Sequence, residues 1–505
     1  MNDFRFDWFA SLKAPFVDEL ASHMFPTADA PCSGVNVELV HSERISLAKH
    51  VLSSLYQAYT SPHAANTVSY PKKNFAYKLK SESKVPYSYK RAIEVFDRLC
   101  ELSWVSVTEA VTQKLYTRIE ASGALSEKFE DIGFVWFEQM PMPKFKSLYL
   151  RDVKRDKDGK VIRTIPKRNK NSKVKRKRPK PKTIKFDVAI DNNKEEVIRM
   201  QNNLHKINSY LVKQCITLDL DDEQLKETLA QIDRKGDGDK LVDLRRIQLT
   251  RIFSRGSMNK GGRFYRGWWQ EIPSRHRPHI RINGKKTVEI DFTAMHLRIL
   301  YAKAGLDFSI EKDPYNLGLD NWEGKKDPRR KVIKKAINAL LNDEDNVFSL
   351  GKDDKKVLGL TEEEFEKQLQ TIHPKLKFSQ YKGIGLELQK LDSDIAEALL
   401  LWMVDHDIPC LPVHDSFIVT AGFGLTLELA LKRIFKEFVN VPTDVEKDII
   451  KIREHFGMTS EEVDNIPIED MVIRSKDTWA LLEKYFNGNN LMDNYLRSYE
   501  CTKYS

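Results

Sequence analysis

Cysteine is scarce. The 505-residue chain has five, Cys32, Cys100, Cys215, Cys410 and Cys501, and no two form a C-x-x-C pair. That excludes a disulfide framework and a zinc ribbon, and it points to a reducing compartment. Long apolar runs are also missing. The longest, Ala398–Val404, falls far short of the roughly 20 residues of a membrane-spanning helix. The first residues include Asp3, Arg5 and Asp7 and lack the apolar centre of a secretory leader. The expectation is a soluble, cytoplasmic protein without a membrane partner. No internal repeat is visible. No glycine-rich phosphate loop follows any expected strand, which argues against a doubly wound nucleotide fold.

Acidic residues are absent from one window, Gly159–Phe186, which carries 13 Lys and Arg. It accounts for the whole formal net charge of +10, because elsewhere 70 basic residues face 73 acidic ones. Such a strip suits the phosphate backbone of nucleic acid, and Lys175, Arg176, Lys177 and Arg178 at its centre are the candidate contacts. Lys173–Lys182 also has the composition of a nuclear address. A solvated linker or hairpin tip is the plain alternative. Pro166, Pro179 and Pro181 keep regular helix out of it.

The remainder is ordinary globular sequence, 41% hydrophobic and 31% charged, long enough for two to four domains. Residues 1–44 form an N-terminal segment. Helical spacing over Ile45–Tyr59 and Tyr87–Leu102, then β-rich pieces at Trp104–Val107 and Leu115–Ile119, outlines a winged-helix nucleic-acid-binding domain over 45–135. A plain α+β packing domain is the alternative. Residues 136–190 read as a connector holding the basic strip. Residues 191–250 read as helices, over Lys194–Val212 and Asp222–Ile232. From 251 to 440, strands alternate with helices. A strand at Lys286–Phe292 feeds a helix running through Tyr301. A basic helix spans Pro328–Leu341 and an amphipathic one Gly385–Val404. An apolar strand at Cys410–Thr420 precedes a helix at Thr426–Phe438. The fold class is α+β. Residues 441–505 read as a helical extension with no assigned role.

Two aspartates carry the chemistry. Asp291 closes an apolar strand, and Asp415 lies within Leu411-Pro-Val-His-Asp-Ser-Phe-Ile-Val419. A carboxylate in such a setting is expensive unless it is paired or bound to a cation, and two together repel unless divalent metal joins them. Capping of the following helix is the alternative reading. Arg329, Arg330, Lys331, Lys334 and Lys335 include i,i+4 pairs, a row of cations able to grip a triphosphate or to form a solvated helix face.

Asp291-Phe-Thr-Ala-Met-His-Leu-Arg-Ile-Leu300 resembles the first palm motif of family A DNA polymerases, D-Y-S-x-x-E-L-R-x-L. Asp313-Pro-Tyr315 is similar to the turn that follows it. Arg330–Asn338 resembles the nucleotide-gripping fingers helix with its R-x-x-x-K, and Gln389 with Asp394-Ile395 resembles the helix that touches the minor groove. Val413-His414-Asp415-Ser416 resembles the last palm motif, V-H-D-E in the DNA enzymes and H-D-S in single-subunit phage-type RNA polymerases. Gly261-Gly-Arg-Phe-Tyr265 is similar to the G-R-x-Y of the latter. The matches run in order over about residues 255–440.

The resemblance implies a right-hand polymerase core with palm, reduced fingers and thumb-like helices at 191–250. Asp291 and Asp415 would bind two Mg²⁺ ions, replaceable by Mn²⁺, with the Phe292 carbonyl as a further ligand. Lys335 and Lys331 would hold the incoming nucleoside triphosphate, with Lys334 beside them and Arg330 as the alternative in a shifted register. Lys335 would also protonate pyrophosphate. His414 and Gln389 would position the primer end, Arg298 would support the palm beside primer and template, and Arg263 would lie along the template. The partners implied are a DNA primer–template, with RNA as an alternative, and nucleoside triphosphates.

Three departures stand out. Lys331 replaces the arginine four before Lys335, His296 replaces the glutamate under the sugar, and Asp343 stands where an aromatic ends the fingers helix. No proofreading D-x-E pair is visible, Asp187 and Asp191 being wrongly spaced. DNA synthesis is favoured over RNA synthesis or priming. A non-catalytic replication initiator with a decayed palm is a further alternative. A metal-dependent HD hydrolase would need His414-Asp415 on a helix, and Pro412 speaks for a strand.

Overall fold

A computed structural model of the chain describes residues 4–5, 12–26, 35–60, 67–70, 87–109, 117–133, 138–158, 161–164, 182–183, 185–221, 223–224, 227–228, 244, 246–306, 313–343, 348–440 and 445–447. Lys175, Arg176, Lys177 and Arg178, most of the helix expected at Asp222–Ile232, and nearly all of 441–505 lie outside these residues.

The described residues form an α+β protein with two separate hydrophobic cores. The first core belongs to β1 (Phe4–Arg5), α1 (Pro15–Met24), α2 (Val35–Tyr59), β2 (Val68–Tyr70), α3 (Tyr89–Glu101), β3 (Val105–Thr108), β4 (Thr117–Ala121) and α4 (Ala124–Ile132). Ser88 caps α3 by accepting the Arg91 N–H at 3.3 Å. Along α3 the apolar residues Ala92, Val95, Phe96 and Leu99 fall on one stripe, and all four are buried. The sheet order is β1-β2-β4-β3, with β3 and β4 antiparallel and β2 antiparallel to β4. The expected helix, helix and two-strand outline is therefore present, with an added strand between the helices.

The second core runs from Leu148 to Phe435. One sheet has the order β11-β10-β5-β8, from β5 (Leu148–Val153), β8 (Lys185–Val188), β10 (Thr250–Ser254) and β11 (Ser257–Tyr265). Between β5 and β8, the short strands β6 (Arg163–Thr164) and β7 (Lys182–Thr183) pair antiparallel. The segment expected as a connector thus supplies two strands to this unit, and the basic strip is inserted between paired strands. Pairing between strands about 35 residues apart leaves no periodic trace along the chain.

The other sheet has the order β14-β15-β13-β12-β9, with β16 (Val445–Lys447) also on β13. Its strands are β9 (Ile216–Leu218), β12 (Ile280–Ile282), β13 (Lys285–Phe292), β14 (Cys410–Val413) and β15 (Ser416–Thr420). The region expected as thumb-like helices, 191–250, gives α5 (Glu195–Leu211), close to the helix expected at Lys194–Val212, and then β9, a strand of this sheet. The apolar strand expected at Cys410–Thr420 is a hairpin instead, turning at His414-Asp415. Pro412 is tolerated because β14 is the edge strand.

The helices are α6 (Met295–Lys303), α7 (Pro328–Leu341), α8 (Lys352–Leu358), α9 (Glu362–Ile372), α10 (Gly385–Asp405) and α11 (Gly424–Val439). α7 begins as its sequence dictates, with the Asp327 side chain accepting the Arg329 N–H at 2.8 Å and Pro328 at the first helical position.

A buried ionic network ties α10 to the first sheet. Arg251, with no exposed surface, donates to the Gly262 carbonyl at 2.8 Å, Ser393 Oγ at 2.9 Å and Asp394 at 3.0 Å, and it pairs with Glu397 at 3.0 Å. Removing one partner of such a network leaves buried charge uncompensated. Arg251→Met is expected to lower unfolding stability by about 3–5 kcal/mol, read by denaturant titration. A loss below about 1 kcal/mol would show that the network contributes little to the fold.

Candidate active site

The register of β13 on β15 decides the geometry. Asp291 lies opposite Ser416, and the Phe292 N–H donates to the Asp415 carbonyl at 3.3 Å. The two aspartates, far apart in sequence, thus stand at the same end of the sheet. Asp415 reaches that place through a two-residue hairpin turn between Val413 and Ser416. His414, the first turn residue, has φ of 62°, a left-handed conformation that usually belongs to glycine in such turns. Holding a bulky residue there costs on the order of 1–3 kcal/mol, and strain of this kind concentrates at functional sites. The hairpin is braced from outside by the Trp269 indole and the Gln270 amide, which donate to the Pro412 carbonyl at 3.0 and 2.9 Å.

Tyr315 lies in the segment between α6 and α7. Its ring is buried beneath the Arg330 guanidinium, 4.9 Å from the ring centroid, and Arg330 pairs with Asp313 at 2.8 Å. Burial is the main cause that drives the Tyr315 phenol well above its ordinary pKa. Arg330 opposes the rise, and Asp415, Asp313 and Asp291 add to it. That phenol stays protonated at neutral pH and is a hydrogen-bond donor for an anion. Tyr315 was legible only as part of a turn, because its importance comes from contacts with three other segments.

A second cluster adjoins Asp415. Arg263 donates from Nε to both oxygens of buried Asp392 on α10, at 3.1 and 3.0 Å, and also bonds it through Nη2. His296 Nε2 is 2.9 Å from the same carboxylate. Gly261 and Gly262, with φ of 77° and 82°, sit where the β10–β11 register shifts, and a Cβ on Gly262 would fall 2.6 Å from the Phe253 ring. The resulting bulge re-aims the strand that carries Arg263. The His414 ring meets Tyr265 edge-on at 5.8 Å. Burial, with Arg263 nearby, lowers the His414 pKa, while Asp415 and Asp392 raise it.

Not every expected site residue joins these clusters. On α7, Arg330 and Lys334 are half-buried and one turn apart, whereas Lys331 and Lys335 are exposed. Lys335 pairs with Asp354 of α8 at 2.5 Å, with 66% of its side chain exposed. Arg330 and Lys334 share the inward stripe of Ile333, Ile337 and Leu341, while Lys331 and Lys335 lie on the outer face of the helix. Arg298, expected beside primer and template, is enclosed and donates to the Thr293 carbonyl at 2.8 Å, so it braces the β13–α6 turn. Asp343 lies beyond the end of α7 and accepts the Phe348 N–H at 3.0 Å. Gln389 is half-buried on α10 and makes no hydrogen bond with a described residue.

The donors suit Mg²⁺. Among the described residues no group of three or more His, Cys, Asp or Glu side chains forms a metal cage. Mg²⁺ does not need one, since it is commonly held by one or two carboxylates together with substrate phosphates. Asp291 and Asp415, hard oxygen donors at one sheet end, are that kind of set. The turn context of His414-Asp415 also removes the helix that an HD hydrolase needs.

His373 positions the Tyr315 turn. Its Nδ1 lies 2.7 Å from the Tyr301 hydroxyl and its Nε2 lies 3.0 Å from the Pro314 carbonyl. Burial lowers its pKa, with the Pro314 bond opposing. The folded state therefore favours neutral His373, and its contribution is complete above the ordinary histidine range and lost as pH falls below about 6.5. Thermal stability is expected to drop as pH falls below about 6.5, with a shallower fall in His373→Gln. Equal slopes in the two proteins would remove His373 from this role.

No family model matches the chain, and no curated protein matches it. Among solved structures, it is similar to the POL domain of Pol1 from M. smegmatis, in complex with DNA primer-template and dNTP. The likeness covers 50% of this chain and 51% of that one, at 13% identity and a TM-score of 0.28. The chain thus matches about half the length of that structure. At this TM-score the likeness carries no argument, and the reading below rests on residues. No helix among the described residues is long and apolar enough to cross a membrane.

Proposed function

We propose that the protein is a template-directed nucleotidyltransferase with a right-hand core of family A type, acting as a DNA-dependent DNA polymerase without a proofreading exonuclease. One observation carries the reading: the β13–β15 register sets Asp291 and the Asp415 turn at the same end of one sheet.

In this reading, Asp291 and Asp415, with the Phe292 carbonyl, hold two Mg²⁺ ions. When bound, these supply charge stabilisation at the attacking and leaving oxygens. Arg330 and Lys334 grip the β- and γ-phosphates, and Tyr315 donates a hydrogen bond to the same anion. His414, on its strained turn, and Gln389 place the primer terminus. The primer 3′-hydroxyl gives its proton to solvent water and its oxygen bonds the α-phosphorus as the α–β bridging bond breaks. Pyrophosphate departs with its charge balanced by Lys334, which can also supply a proton. Arg263, fixed by Asp392, lies along the template side of Asp415.

The β2–α3–β3–β4 arrangement of the first unit supports a winged nucleic-acid-binding domain, and the basic insert supports salt-dependent backbone contact. A second reading, RNA synthesis or priming, is favoured by His296, which stands where the DNA enzymes have glutamate and is held by Asp392. Primer extension with four dNTPs or four NTPs separates the two. Preference for dNTPs is expected, and exclusive use of NTPs would overturn the DNA assignment.

A further inference from the structure

The Tyr265 side of the first sheet carries a row of arginine and tyrosine that the chemistry above does not use. Arg266, exposed and with φ of 81°, turns back so that its guanidinium lies 4.7 Å from the Tyr149 ring centroid and donates to the Tyr149 hydroxyl at 2.9 Å. Tyr149 on β5 pairs with Ile252 on β10, whose other neighbour is Arg263 on β11. Tyr265, half-buried, follows Arg263 by two residues on β11 and meets the His414 ring at 5.8 Å. Arg151 pairs with Asp187 on β8, two residues from the Val153–Lys185 rung where the β5–β8 pairing ends and beyond which the separate β6–β7 pair begins. Aromatic rings and guanidinium groups thus run from Asp415 to the root of the insert.

We propose that this row, Tyr265, Tyr149, Arg266 and Arg151, is a binding track for the single-stranded part of a polynucleotide, the template extension ahead of or behind the duplex. The proposal rests on the nucleotidyltransferase reading for its biological role, but its binding claim stands apart from catalysis. Charge complementarity favours a polyanion. The rings decide which polyanion, because stacking platforms serve unstacked bases, whereas duplex contacts go mainly to phosphates. Continuity with Asp415 through Tyr265 and His414 places the strand where it enters the reaction site. Stacking on Tyr149 and on the Arg266 plane is independent of base identity, as template use requires.

The test is fluorescence anisotropy with the full chain and two labelled DNA hairpins, one blunt and one with a single-stranded 5′ extension of about 12 nucleotides, within the site sizes of stacking platforms. Tyr149→Ala and Arg266→Ala are each expected to weaken binding of the extended hairpin by roughly 5- to 100-fold, while the blunt hairpin stays within about twofold. Tyr149→Phe keeps the ring and is expected to retain most of the affinity. Arg266 is exposed, so its variant answers the question even if Tyr149→Ala unfolds, which a melting curve reports.

Unchanged affinity for the extended hairpin in Arg266→Ala and in folded Tyr149→Ala would overturn the proposal. Equal loss on the blunt hairpin would overturn it in favour of a duplex surface. A Tyr149→Phe defect as large as that of Tyr149→Ala would also overturn it, by showing that the hydroxyl tie matters and stacking does not. If wild type shows the expected binding pattern yet adds no nucleotide, the track stands and the catalytic reading falls. If wild type extends primers and the variants bind like it, the track alone falls.

Discussion

Asp291→Ala and Asp415→Ala are each expected to reduce nucleotide incorporation by about 10³- to 10⁵-fold while leaving primer–template binding within a few-fold of wild type. The size follows from what the carboxylates do. Each removes one oxygen donor from a pair that shares one end of the sheet, and charge on the attacking and leaving oxygens then goes uncompensated. Binding survives because contact with nucleic acid is spread over other surfaces. Neither substitution should unfold the chain, since Asp291 is half-buried at a strand end and Asp415 lies in a turn. The readout is single-turnover extension beside anisotropy. Incorporation within about tenfold of wild type in either variant would remove that aspartate from the metal pair.

The second large effect separates two registers of one helix. Arg330→Ala and Lys334→Ala are expected to lower kcat/KM for the nucleotide by about 10²- to 10³-fold, and Lys331→Ala and Lys335→Ala by less than about threefold. Arg330 covers the Tyr315 ring and pairs with Asp313, whereas Lys335 pairs with Asp354 at the protein surface. An exposed pair such as Lys335–Asp354 contributes little to stability, so Lys335→Ala isolates catalysis cleanly. Part of the Arg330 effect arises because Asp313 loses its partner. Arg330→Lys, which keeps charge without the planar fork, is expected to recover only part of the activity. A larger defect in Lys335→Ala than in Lys334→Ala would return the grip to the first register.

The local elements were legible because their causes are local. The stripe Ala92, Val95, Phe96 and Leu99, the Asp327-Pro328 start of α7 and the apolar run before Asp291 each act within a few residues. The two aspartates stood out by their apolar strand settings together with the ordered resemblance to palm motifs, since a strand-end carboxylate alone could equally cap a helix. What the sequence hid was lateral. Nothing along the chain says that β5 pairs with β10, that Asp392 serves both Arg263 and His296, or that Tyr315 lies under Arg330. The turn at His414 was hidden for another reason. A left-handed histidine is the costly choice, so turn propensity argued for an unbroken strand. The register of α7 turned on a single residue of phase, which only the burial of Ile333 and Ile337 resolves.

The central claim is that Asp291 and Asp415 support templated nucleotidyl transfer. Its most direct test is addition of one nucleotide to a labelled primer in Mg²⁺, on four templates that differ only in the next base. The expected result is addition of the complementary nucleotide on each template, with loss of addition in the Asp291→Ala, Asp415→Ala double variant. Absence of any addition by wild type in Mg²⁺ or Mn²⁺, with primer–template demonstrably bound, would contradict the account.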